Sequence, residues 1–154
     1  MQLTYHQLPD FLSADQKKEL LEIVAKTEDW IVHKSSKSGR ISPLHFIKID
    51  YTLYDRQVLL MMMKPNTTQD WHTDMKGRNA VLIYPLTPDE DYAHCEFENG
   101  SVNFPAIINT QMKHRVVNND NIRVNLQVAF EEDMDEVILL FKSENPELVS
   151  NDIT

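Results

Sequence analysis

The chain has 154 residues, enough for one domain with its own hydrophobic core. Hydrophobic residues at 42% and charged residues at 25% are an ordinary globular mix, which excludes wholesale disorder. Fifteen Lys and Arg stand against 24 Asp and Glu, and a net charge of −9 disfavours a general electrostatic grip on nucleic acid.

Residues 8–26 open with a helix signal. Ser13 can cap, Gln16 sits three positions on as in a capping box, and Leu20, Ile23 and Val24 form an apolar stripe. The segment HKSSKSGRISPLH at 33–45 is polar and carries Gly39 and Pro43; it reads as a loop, either a passive connection or a lid over a site. From Phe46 onward the period becomes that of strands. Phe46–Leu53 alternates loosely, and Val58–Met63 is a continuous apolar run suited to a strand buried on both faces, its methionines acting as adaptable core filler. Lys64-Pro65-Asn66-Thr67 is turn chemistry, and Ala80–Leu86 is a second apolar strand, stopped by Pro85 and Pro88. Asn99-Gly100 marks a hairpin, and Ala106–Ile108 and His114–Val117 flank a further turn. Ile122–Phe130 alternates most cleanly of all. Asp133–Lys142 fits a capped helix, with Asp133 and Glu136, or an apolar strand, and the helix is favoured. The closing SNDIT reads as a frayed end. Short strands at close spacing predict a mainly β fold with flanking helices, a double-stranded β-helix of the jelly-roll, cupin-like kind with the N-terminal helix packed outside. Residues 1–154 are expected to form one domain.

The single Cys95 excludes an internal disulfide framework and fits a reducing compartment. No apolar run is long enough for a transmembrane helix, and MQLTYHQLPDFLS lacks a basic-then-apolar leader. The expectation is a cytoplasmic protein with no membrane partner.

The chemistry-bearing residues cluster in the second half. On an extended chain His72 and Asp74 project to one face, as two ligands of a 2-His-1-carboxylate metal site would; a hydrogen-bonded His–Asp pair is the rival explanation. His114 comes directly after a turn and begins an apolar strand. Arg123 follows nine residues later, on the polar face of its strand with Asn125 and Gln127. That face points either to water or, in a small barrel, into a pocket where a guanidinium fork meets a carboxylate. His6, His33, His45 and His94 read as exposed or hydrogen-bonded, and His94-Cys95 as a pair in sequence only. With three glycines in the chain, no phosphate-cradling loop is present.

His72-Thr73-Asp74, a distal His114 and then Arg123 resemble the iron(II)/2-oxoglutarate-dependent dioxygenase superfamily. KPNTTQDWHTD resembles its Pro–turn–His-x-Asp entry, and NTQMKHRVVNNDNIRVNLQVAF its distal-His and Arg segment. RNAVLIYPL and the spacing are similar to the prolyl-hydroxylase-like and aspartyl/asparaginyl-hydroxylase-like branches. Asp74 departs from the second of these, which typically lacks the carboxylate ligand. The resemblance implies Fe(II) held by His72, Asp74 and His114, with 2-oxoglutarate as co-substrate on Arg123 and O2 as oxidant. Succinate and CO2 would be released as an unactivated C–H bond is hydroxylated. Beside these, Asn125 and Tyr84 are candidate co-substrate contacts, and Arg78 and Trp71 are candidate pocket groups toward the substrate, with an exposed surface position the alternative for Arg78 and packing or pocket wall the alternative for Trp71. That substrate would be a protein residue, an amino acid or a small metabolite. Two other readings compete: a zinc-dependent cupin-type hydrolase or isomerase, which has no need of Arg123, and a non-catalytic carboxylate-binding barrel.

Overall fold

A computed structural model describes residues 3–34, 41–87 and 94–149. Among them the chain forms β1 (Tyr5–Gln7), α1 (Ala14–Lys26), β2 (Ile31–Lys34), β3 (Ile41–Leu53), β4 (Arg56–Met63), β5 (Thr68–His72) and β6 (Ala80–Pro85). There follow β7 (His94–Phe97), β8 (Gly100–Val102), β9 (Ala106–Ile108), β10 (His114–Val117), β11 (Arg123–Phe130), α2 (Met134–Glu144) and α3 (Pro146–Val149). The strands make two antiparallel sheets, a seven-stranded one in the order β1-β9-β6-β11-β4-β3-β2 and a four-stranded one in the order β5-β10-β7-β8. This is the predicted jelly roll. No helix among the described residues is long and apolar enough to cross a membrane.

Strand alternation divides the large sheet into two apolar faces. On β11, Val124, Leu126, Val128 and Phe130 join Leu20 of α1 and Met134, Val137 and Phe141 of α2 in one core, so the greasy face is roofed by helices. The other face looks toward the small sheet. There Met61 and Met63 of β4 pack with Leu44 of β3 and Val116 of β10. Val81 and Ile83 of β6 pack with Cys95, Phe97 and Val102. The polar side of β11 lies between these two inner clusters, with Arg123 opposite Met63, and Asn125 opposite Met61 and Pro85. The methionines of β4 are core filler, as expected: Met63 is fully buried.

The helices start where their caps predict. Ser13 Oγ accepts from the Gln16 amide at 3.1 Å, and Gln16 Oε1 accepts from the Ser13 amide at 2.9 Å. Ser13→Ala should therefore cost about 1 kcal/mol, read as a lower denaturation midpoint at an unchanged m-value. Asp133 caps α2 by accepting from the Glu136 amide at 2.9 Å, and Met134, Val137 and Phe141 supply the buried stripe, which settles 133–142 as helix.

The expected loop at 33–45 is shorter than its polar composition suggests. β2 takes in residues 33–34 and β3 residues 41–45, with Lys34 opposite Ile41 and Val32 opposite His45. Strand pairing overrides composition here because β3 is held on both sides, by β2 and by β4. The remaining residues, 35–40, and with them the lid reading, lie outside the described residues, as do Pro88 and the SNDIT tail.

Candidate metal centre

His72 ends β5 and is the direct cross-strand partner of His114, the first residue of β10. Side chains at paired positions share a face, and the two imidazole centroids are 4.3 Å apart. Asp74 lies two residues past His72, fixed where its backbone N–H donates to the Thr110 carbonyl at 2.9 Å. Its Oδ1 sits 3.5 Å from His72 Nε2 and 3.3 Å from His114 Nε2. One donor atom from each of the three residues lies within 4.8 Å of the others, and this is the one such group found among the described residues.

The outer nitrogens fix what the inner ones present. His72 Nδ1 lies 2.7 Å from the Asp70 carbonyl oxygen, and His114 Nδ1 lies 2.8 Å from that of Met112. A carbonyl oxygen only accepts, so each Nδ1 carries a proton, and Nε2 is the nitrogen that each ring turns toward Asp74 and would offer to a cation. Two imidazole nitrogens and a carboxylate oxygen then converge, an arrangement that a divalent cation satisfies. Bonds of about 2.0–2.2 Å put neighbouring ligand atoms about 3 Å apart, close to the spacing seen. Burial alone would raise the Asp74 carboxyl, but His114, His72 and Arg78 together hold it well below the usual carboxylate range. The donor set of two imidazoles and one carboxylate fits iron(II).

Arg123 and Asn125 are buried on the inner face of β11, Arg123 at 4% exposure and Asn125 at 0%. The polar face of this strand thus turns inward, as a small barrel permits and a strand with one wet face does not. Asn125 is the anomaly: neither its Nδ2 nor its Oδ1 has a hydrogen-bond partner within the protein. A fully buried amide without partners costs on the order of 1–3 kcal/mol, so a ligand or water belongs beside it. Burial pushes the Cys95 thiol up to about 12.

Two sequence expectations are corrected, those for Tyr84 and Trp71. Tyr84 does not face the interior: alternation on β6 turns it into the helix-covered core, where it packs edge-on against Phe11 and its hydroxyl hydrogen-bonds Asp10. Trp71 lies on the opposite side of β5 from His72 and is 39% exposed, its ring under the Arg115 guanidinium at 4.9 Å. Arg78 Nε instead donates to Asp74 Oδ2 at 2.9 Å, so this side chain attends a candidate ligand. Sequence reading missed three further supports, the backbone carbonyls of Asp70 and Met112 and the hydroxyl of Thr110, which donates to the Arg78 carbonyl at 2.6 Å. Backbone acceptors carry no residue signature; the equal spacing of each carbonyl two residues before its histidine was the available clue.

No protein-family model and no curated protein matches the sequence. Solved structures do match in fold. A Pseudomonas putida prolyl-4-hydroxylase superposes with a TM-score of 0.68 at 13% identity, covering 84% of this chain and 93% of that one. A Trichoplax adhaerens prolyl hydroxylase, solved with a hypoxia-inducible-factor oxygen degradation domain peptide fragment, gives 0.64 at 12%, covering 88% and 86%. A viral collagen prolyl hydroxylase from Paramecium Bursaria Chlorella virus-1, solved as a 2-oxoglutarate complex, gives 0.60 at 12%, covering 82% and 95%. The chain therefore has the fold of the prolyl hydroxylases, the first of the two branches its motifs resemble.

Proposed function

We propose that this chain is an Fe(II)- and 2-oxoglutarate-dependent dioxygenase that hydroxylates a C–H bond of a protein residue, an amino acid or a small metabolite. The observation that carries the reading is the inward convergence of His72 Nε2, His114 Nε2 and Asp74 Oδ1 at 3.3–3.5 Å. Iron and 2-oxoglutarate, when bound, supply the oxidation, with O2 consumed and succinate and CO2 released. The three residues hold the metal, and their Nδ1–H bonds to backbone carbonyls keep both rings in one tautomer and orientation. Arg123 binds the distal carboxylate of the co-substrate through its guanidinium fork. Asn125, its amide otherwise unsatisfied, completes that contact. Met61, Met63 and Val116 line the interior with apolar surface, which excludes water and strengthens the charge interactions there. A peptide is the first substrate class to try, given the peptide-bound prolyl hydroxylase of like fold.

The test is direct. Protein loaded anaerobically with Fe(II) and 2-oxoglutarate, then given O2 with a panel of peptides and amino acids, should form succinate in proportion to enzyme. A strong preference for zinc with no succinate from any combination would return the site to hydrolase chemistry.

A further inference from the structure

Arg78 has no place in the proposed reaction so far, yet it is tied to the centre at both ends of its residue. Its Nε donates to Asp74 Oδ2 at 2.9 Å, while the other carboxylate oxygen, Oδ1, faces the two imidazoles. Its backbone carbonyl accepts from Thr110 Oγ1 at 2.6 Å and from Gln111 Nε2 at 2.9 Å. The 109–112 turn that does this also accepts from the Asp74 amide through the Thr110 carbonyl, and it leads directly into His114. Within the short loop the Arg78 amide donates to the Met75 carbonyl at 3.1 Å, and Gly77 takes a φ of +94°, a conformation that glycine alone adopts freely. The loop from 74 to 78 is thus closed on itself and pinned to the turn before the second histidine.

We infer that Arg78 is a positioning residue for the metal: it occupies one oxygen of the Asp74 carboxylate so that only the other is presented to the cation, and the 109–112 turn holds it there. The inference rests on the reading of His72, Asp74 and His114 as a metal site. It makes a claim that simple electrostatics contradicts. Arg78 is a positive charge beside a site for a dication, so by Coulomb's law its removal should tighten metal binding. As the group that orients the carboxylate, its removal should weaken it.

The experiment is an equilibrium titration of metal-free protein with Co(II), which reports on coordination by its visible absorption without turnover. Wild type, Arg78→Gln, Arg78→Lys and Lys76→Gln are compared, the last removing an exposed charge from the same loop. Arg78→Gln should bind Co(II) roughly 10- to 100-fold more weakly, the usual cost of losing an outer partner of a ligand, with altered visible bands. Arg78→Lys, which keeps the charge but loses the planar donor, should fall between it and wild type. Lys76→Gln should bind as wild type does or slightly tighter. Thermal melts of the metal-free forms separate a folding loss, which lowers Tm without touching the Co(II) bands of the folded fraction. Arg78→Gln binding as tightly as wild type, or tighter, overturns the positioning role. If Arg78→Gln does not fold, Arg78→Lys carries the decision: wild-type affinity and bands there overturn the role as well. A wild type that binds no Co(II) brings down the metal site itself, and with it this inference.

Discussion

Asp74→Ala and His114→Ala should each abolish 2-oxoglutarate decarboxylation and weaken Fe(II) binding by more than the roughly 100-fold that an outer-shell loss costs. Each removes one of three converging donor atoms. The two variants differ in what else they disturb. Asp74 is partly exposed, and its loss leaves Arg78, itself partly exposed, to be solvated; folding should be little changed. His114 is buried against His72 and Phe97, whose ring centroids lie 4.3 and 5.7 Å away, so Ala there leaves a small void. A destabilisation of about 1–3 kcal/mol is expected, seen as a lower melting temperature of the metal-free protein. Calorimetric titration of Fe(II) under anaerobic conditions decides the matter. Metal affinity unchanged in both variants would sink the triad, whatever the fold resembles.

How far the sequence could be read depended on whether the information was local. Ser13 with Gln16, and Asp133 with Glu136, are caps written within one turn, and both helices begin where those caps place them. Ile122–Phe130 announced its two faces through alternation alone. Alternation could not say which face looks inward, because a polar face is consistent with solvent until the other face is known to carry helices. Leu126 and Phe130 packing against Leu20 and Phe141 answers that. The segment 33–45 misled for the converse reason: composition cannot show that residues 41–45 pair with β2 on one side and with β4 on the other. Tyr84 shows the same limit in a single residue. Its neighbours Val81 and Ile83 face the interior, Tyr84 falls on the other parity, and an apolar run with no polar alternation gives no sign of which parity is which. The site itself was legible as residue types: His72, Asp74 and His114 meet although 114 is far from 72 in the chain, because β5 and β10 are sheet neighbours with these histidines in register. Arg78's bond to Asp74 was written at helical spacing in a segment that is no helix, so the i, i+4 pair gave no warning.

Arg123→Met should leave the metal site intact and remove the co-substrate. Arg123 is buried on the inner face of β11, across from Met63 and two residues from the unpartnered Asn125 amide. A methionine of similar length joins the apolar surface of Met61 and Met63 without touching Val124 or Leu126 on the other side of the strand, so the fold should survive. What is lost is a planar donor fork that meets a carboxylate with two parallel hydrogen bonds. Bonds to a charged group contribute about 1.5–3 kcal/mol, which corresponds to roughly a 10- to 150-fold weaker Kd for 2-oxoglutarate. Arg123→Lys should lose less, since the charge remains and only the fork is gone. Asn125→Ala should lose less again, and by removing a buried unsatisfied amide it should hold or raise the stability of the ligand-free protein. That opposite pair of effects, weaker co-substrate binding with no loss of stability, is what a ligand-facing amide predicts and a structural one does not. The measurement is calorimetric binding of 2-oxoglutarate to metal-loaded, oxygen-free protein, beside metal titration without co-substrate. If the Met variant binds 2-oxoglutarate as tightly as wild type, Arg123 is a core cation with another partner and the co-substrate assignment fails, while the three metal ligands stand on their own test.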